Sequence, residues 1–187
     1  MYPEHMVLTY SDNLLGTAPI YAFFRLLTFS RESSFQLWFM VLLLANFACA
    51  YGCLKYLLRS KRGAVVGALL FAVSIGLISQ LGHAQTFPRF PMPLTIWALM
   101  LFANSHKPKH FLFACLGLVY QFYCAIYLGF FLSVPFVLIL LYTIFQKRKE
   151  LMEHLNSWRW VLQIVMSGAI SMVLLVLLMY PYYSRAQ

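Results

Sequence analysis

Residues Phe35 to Leu58 read FQLWFMVLLLANFACAYGCLKYLL, and Arg59-Ser60-Lys61-Arg62 closes the run. Lys55 is its only charged residue, and it sits near the basic end. A helix rising 1.5 Å per residue crosses a hydrocarbon core of about 30 Å in roughly 20 residues. The run is therefore expected to cross a membrane, with Lys55 snorkelling its ammonium toward the basic side. The rest of the chain has the same character. Of 187 residues, 62% are hydrophobic and 10% charged, with mean hydropathy +0.75. A soluble domain carries about a quarter charged residues, so this chain lacks the polar groups to cover a water-facing surface.

Further apolar segments lie on the C-terminal side. Gly63 to Leu81 follows at once. Pro91 to Ala103 is short and opens with Pro91 and Pro93, acceptable at a helix start where the missing N–H would be unpaired anyway. Phe111 to Phe145 is too long for one crossing and divides near Ala125 to Tyr127 into two helices with a tight turn. Trp160 to Tyr180 is last, with Pro181 expected to stop it. The fold expected is all-α: a polytopic transmembrane helix bundle of about six spans plus short interfacial helices. The chain reads as a single transmembrane domain over 1–187. Residues 1–34 form an extracytoplasmic segment with an interfacial helix, Pro19 to Thr28, and 35–180 form the bundle. Residues 147–159 place Leu151, Leu155 and Trp158 on one face, as in a helix lying on the inner surface. The chain reads as a piece of a longer membrane protein.

Charge sets the expected orientation. With the first 34 residues outside, the inner connections hold ten basic residues: Lys55, Arg59, Lys61, Arg62, Lys107, Lys109, Lys147, Arg148, Lys149 and Arg159. The outer segments hold four: Arg25, Arg31, Arg89 and Arg185. That asymmetry follows the positive-inside rule and sets the N-terminal segment outside. It also accounts for the net charge of +9. The basic residues lie in short clusters between apolar runs, so no nucleic-acid partner is expected. The lipid bilayer is the expected partner. Cys49, Cys53, Cys115 and Cys124 lie in or beside apolar segments without zinc-type spacing and read as packing residues. No phosphate-binding or dinucleotide loop and no HExxH or GxSxG motif is present.

The polar residues worth weighing fall on the expected outer side. Asp12 precedes the interfacial helix, where its carboxylate could act as a general base or hold a divalent cation; as an ordinary N-cap it would do neither. Its outer carboxylate neighbours are Glu4 and Glu32. The connection Gly82-His83-Ala84-Gln85-Thr86-Phe87-Pro88-Arg89-Phe90-Pro91 gathers an imidazole, a carboxamide and a guanidinium. His83, Gln85 and Arg89 could grip a phosphate or sugar, or they could satisfy a tight loop and the lipid headgroups. Gln121 and Tyr127, with Tyr120 and Tyr123, flank the expected turn as a ligand-lining set or an aromatic belt. Asn46 is expected to hydrogen-bond to a neighbouring helix, and Ser167 with Ser171 to form a close-packing face.

Four stretches carry a resemblance: Ser11-Asp12-Asn13-Leu14-Leu15-Gly16 with Pro19-Ile20-Tyr21; Phe35-Gln36-Leu37-Trp38; Gly82-His83-Ala84-Gln85 with Pro88-Arg89-Phe90; and Gln121-Phe122-Tyr123 with Ile126-Tyr127-Leu128-Gly129. Over residues 11–130 the chain resembles bacterial multi-pass proteins of the GT-C glycosyltransferase-like superfamily, including its YfhO-like members. The resemblance implies a cell (inner) membrane protein and sugar transfer from a polyprenyl-phosphate donor on the extracytoplasmic face. Asp12 would deprotonate the acceptor or help hold a metal, and Arg89 with His83 would face the donor phosphate. The chain departs from that pattern in lacking a preceding span, a paired acidic motif and a soluble outer domain. A non-catalytic transporter or scaffold for lipid or polysaccharide export is the alternative reading.

Overall fold

The computed structural model describes residues 13–27, 29–73 and 83–185. Every regular element among them is helical. Helix α1 spans Ala18–Leu26, α2 Arg31–Leu58 and α3 Lys61–Ala72. A single 3-10 turn, Ala84–Thr86, precedes α4 at Pro91–Ser105. Helices α5 (Pro108–Cys124), α6 (Ile126–Gln146), α7 (Arg148–Leu155) and α8 (Trp158–Arg185) complete the order.

Local chemistry sets the ends. Ser30 Oγ accepts the Ser33 N–H to open α2, and Ser60 Oγ accepts that of Gly63 to open α3. Prolines stand in the first turns of α1, α4 and α5. Extended backbone at Ala125 separates α5 from α6, where the sequence placed the break. His106 closes α4 in the left-handed region at φ 51°, its N–H donating to the Phe102 carbonyl.

Three described helices are long and apolar enough to cross a membrane: Arg31–Leu58, Ile126–Gln146 and Trp158–Ser184. They mark a membrane protein built as a helical bundle. Of the six expected crossings, the others are not matched by helices of that length. Helix α4 has 15 residues and α5 has 17, about 22 and 26 Å at 1.5 Å per residue. The described part of the second expected span is the 12-residue α3; residues 74–82 lie outside the described set. Two further expectations are corrected. Pro181 does not stop the last helix, which runs on to Arg185 with Pro181 inside it. A proline removes one backbone bond, a loss that apolar membrane helices tolerate when nearby groups compensate. Trp158 belongs to α8 and not to the short surface helix before it.

Helices α2 and α3 form an antiparallel hairpin, with Ala64, Ala68 and Ala72 buried at four-residue spacing as a small-residue contact face. Helices α4 and α5 pack equally closely, because Gly117 lets α5 approach Thr95: a Cβ on Gly117 would collide with Thr95 Oγ1. The Thr95 hydroxyl is itself fixed by donation to the Pro91 carbonyl at 2.8 Å. Leu99, Ala114, Cys115 and Phe136 form one core, joining α4, α5 and α6. The second core, Trp38, Leu42 and Phe87, joins α2 to the connection before α4.

Helix α4 runs beside the second half of α2 in the same direction. Near its start, the Phe87–Arg89 segment meets Asn46, close to the middle of α2. Near its end, Asn104 Nδ2 donates to Tyr56 Oη at 3.3 Å, and Trp97 lies 6.0 Å from the Tyr56 ring. The connection before α4 therefore does not sit at the end of α2, where an outer surface loop would lie. It sits beside the middle of α2's apolar run.

Candidate functional site

Irregular backbone against the middle of an apolar helix needs partners, because each unpaired buried N–H or C=O costs about 1–3 kcal/mol. Two carboxamides supply them. Asn46 Nδ2 donates to the Phe87 carbonyl at 2.8 Å, and Asn46 Oδ1 accepts the Arg89 N–H at 3.1 Å. Gln121 Nε2, from the last turn of α5, donates to the Pro88 carbonyl at 2.9 Å. Asn46 and Gln121 are both fully buried. Three successive loop residues are thus held by two side chains from opposite sides.

The same turn of α5 holds the N-terminal segment. The Gly16 N–H donates to the Tyr123 carbonyl at 2.7 Å, and Tyr120 Oη donates to the Gly16 carbonyl at 2.7 Å. Asn13 is buried, with Nδ2 donating to the Phe122 carbonyl at 3.4 Å and Oδ1 accepting the Leu15 N–H at 3.2 Å. The approach requires glycine at position 16, since a Cβ there would meet Cys124 Sγ at 2.7 Å. Trp38 Nε1 ties the segment to α2 by donating to the Thr17 carbonyl at 3.2 Å. Residues 120–124 are therefore a hub joining the segment that begins at Asn13 to the Phe87–Arg89 connection.

Among the polar groups of that connection, Arg89 is half-buried, and its Nε donates to the Thr86 carbonyl at 2.7 Å. Its Nη groups have no hydrogen-bond partner among the described residues. The guanidinium is a cation, as arginine is throughout proteins. His83 is exposed, and its carbonyl accepts the Thr86 N–H and hydroxyl. Gln85 is half-buried on the 3-10 turn. The arrangement offers a cation fixed at Nε with two free donor groups, which suits an oxyanion such as phosphate.

Several expected site residues are placed differently. Asp12 lies outside the described residues, one position before Asn13; the N-cap of α1 is Thr17. Gln121 does not line an accessible site, because its amide is spent on Pro88 and no part of it reaches solvent. Its Oε1 is buried without a partner among the described residues. Tyr127 is 67% exposed on the first turn of α6, outside the hub's bonding pattern. The Tyr120 and Tyr123 hydroxyls are engaged on backbone carbonyls of Gly16 and Leu174. Asn46 does bond across the bundle, to a loop and not to a helix. Asn13 was missed, although an asparagine two residues before a glycine-containing turn is a familiar side-chain turn signal. No cluster of three metal-ligating side chains occurs among the described residues. Comparison with family models, curated proteins and solved structures finds no match for this chain.

Proposed function

We propose that this protein is a GT-C-like glycosyltransferase, or a piece of one, taking a sugar from a polyprenyl-phosphate donor at the extracytoplasmic face of the inner membrane. In this reading the N-terminal segment is outside and six membrane-embedded segments keep the parity of the charge pattern. The carboxamide-clamped connection then faces the outer aqueous side. Arg89 takes the donor phosphate, with His83 and Gln85 beside it. Asp12 removes the proton from the acceptor hydroxyl or holds a divalent cation. The observation that carries the reading is the hub at residues 120–124. It ties Asn13, the neighbour of Asp12, through Phe122 and ties the Arg89 connection through Gln121, adjacent residues on one helix turn.

The test is sugar transfer by the full-length protein in membranes, comparing Asp12→Asn and Arg89→Gln with the unmodified protein at matched abundance. Loss of transfer in both is expected. Undiminished transfer in Asp12→Asn ends the enzymatic reading. A non-catalytic transporter or scaffold is favoured by a different observation, a largely apolar cavity of roughly 690 Å³ between α4 and α5 from Leu94 to Tyr123. Under that reading Asp12 and Arg89 are dispensable, while filling the cavity with Leu116→Trp abolishes lipid movement.

A further inference from the structure

A second cavity lies at the end of the bundle away from the 120–124 hub, where α6 ends and α8 begins. It holds roughly 610 Å³, within the 300–1,000 Å³ usual for ligand sites. Phe111, Leu140, Ile144, Leu151, Leu155 and Ile164 are among its walls, drawn from α5, α6, α7 and α8. Its polar atoms are already occupied. Thr143 Oγ1 donates to the Ile139 carbonyl, and Trp160 Nε1 donates to the His106 carbonyl at 2.7 Å. The interior therefore offers contact only to hydrocarbon.

The rim differs. Arg148 is the one charged residue of the lining; it is exposed and has no hydrogen bond or ion pair among the described residues. The neighbouring Lys147 is engaged on Glu150 at 2.9 Å, which leaves Arg148 as the free donor at the mouth. The cavity lies between the C-terminus of one spanning helix and the N-terminus of another, the level at which acyl chains give way to headgroups. Lys149 and Arg159 add positive charge nearby in sequence, and a basic pocket between membrane helices is a lipid-phosphate site by electrostatics.

We infer that this cavity binds an anionic diacyl phospholipid of the inner leaflet, its chain against the α6 and α8 walls and its phosphodiester on the Arg148 guanidinium. The inference is independent of the sugar-transfer reading. Guanidinium and phosphate make a charge-assisted pair, and losing about 1.4 kcal/mol of such a contact corresponds to a tenfold loss of affinity.

The experiment uses the full chain in nanodiscs of phosphatidylcholine, alone or mixed with phosphatidylglycerol, read by thermal unfolding and by lipid retained in native mass spectrometry. Phosphatidylglycerol is expected to raise Tm and to be retained in preference to phosphatidylcholine. Arg148→Gln is expected to weaken that retention about tenfold. Lys149→Gln removes the same charge from a residue outside the lining and is expected to weaken it far less. Glycerol 3-phosphate, a headgroup without a chain, is expected not to displace the lipid. Equal retention of the two lipids, equal losses in the two variants, or displacement by glycerol 3-phosphate would each overturn the assignment. Arg148 is exposed, so its replacement leaves folding intact and the comparison interpretable.

Discussion

Replacing Asn46 by leucine tests whether the connection before α4 is held by carboxamides. Leucine shares asparagine's branched shape and suits the apolar run of α2, although its two methyl groups are bulkier than the carboxamide and add a packing cost of their own. What disappears is one donor to the Phe87 carbonyl and one acceptor for the Arg89 N–H. Each buried backbone group left unpaired costs about 1–3 kcal/mol. The Arg89 N–H also reaches the Phe87 carbonyl at 2.8 Å in a three-residue turn, so each group keeps a partial partner. The expected loss therefore falls at the low end for two groups, about 2–3 kcal/mol. Reversible unfolding in mixed micelles measures it, and hydrogen exchange locates it at residues 87–89. Asn46→Asp keeps the acceptor but not the donor and brings a carboxylate into the core, so it is expected to be at least as damaging. A leucine variant within about 0.5 kcal/mol of the parent, with exchange at Arg89 unchanged, would refute the clamp.

Two glycines should respond oppositely to alanine. Gly117→Ala forces a methyl onto the fixed Thr95 hydroxyl and is expected to cost about 1–3 kcal/mol, while Gly168→Ala, with nothing within 4 Å of the new Cβ, is expected to be neutral or stabilising by up to about 1 kcal/mol in the same unfolding assay. Glu150 is held below the ordinary carboxylate value of 4.5, first by Lys147 and then by His106. A depressed carboxyl contributes stability above its unfolded value and loses it as pH falls through the folded one. The docking of α7 should therefore persist on acidification to about pH 4.5 and weaken only below it, with Glu150→Gln removing that dependence. Fluorescence of a variant retaining Trp160 as its sole tryptophan measures this, because the Trp160 ring stacks on His154 of α7.

The sequence made the helical character plain, and the reasons are local. Apolar runs, first-turn prolines and the break at Ala125 each act within one or two turns, so they are readable without knowing neighbours. The start of α1 was equally accessible through Pro19. The depth of the Phe87–Arg89 connection was not, because a polar-looking decapeptide is drawn to the surface by composition alone. Only the pairing of its backbone with Asn46 and Gln121 permits it to leave water, and those partners lie 41 and 33 residues away. Asn46 and Gln121 did stand out as polar residues in apolar surroundings. Pairing with the loop backbone accounts for the placement of both. Pro181 misled because a rule drawn from soluble helices was applied to a helix whose apolar length sustains it. The hub was hidden for a simpler reason: its bonds run to backbone carbonyls, and a sequence does not say which carbonyls meet.

The clamp also dictates an order of events during synthesis. A 15-residue helix preceded by unpaired peptide groups has little reason to leave the translocation channel by itself. Asn46 has already emerged from the ribosome by then, but Gln121 is made later, after the segment it grips. The residues from Phe87 to Arg89 therefore have their full set of clamp partners only once α5 has been made. A chain cut between α4 and α5 is accordingly expected to leave the Pro88 carbonyl without its Gln121 partner.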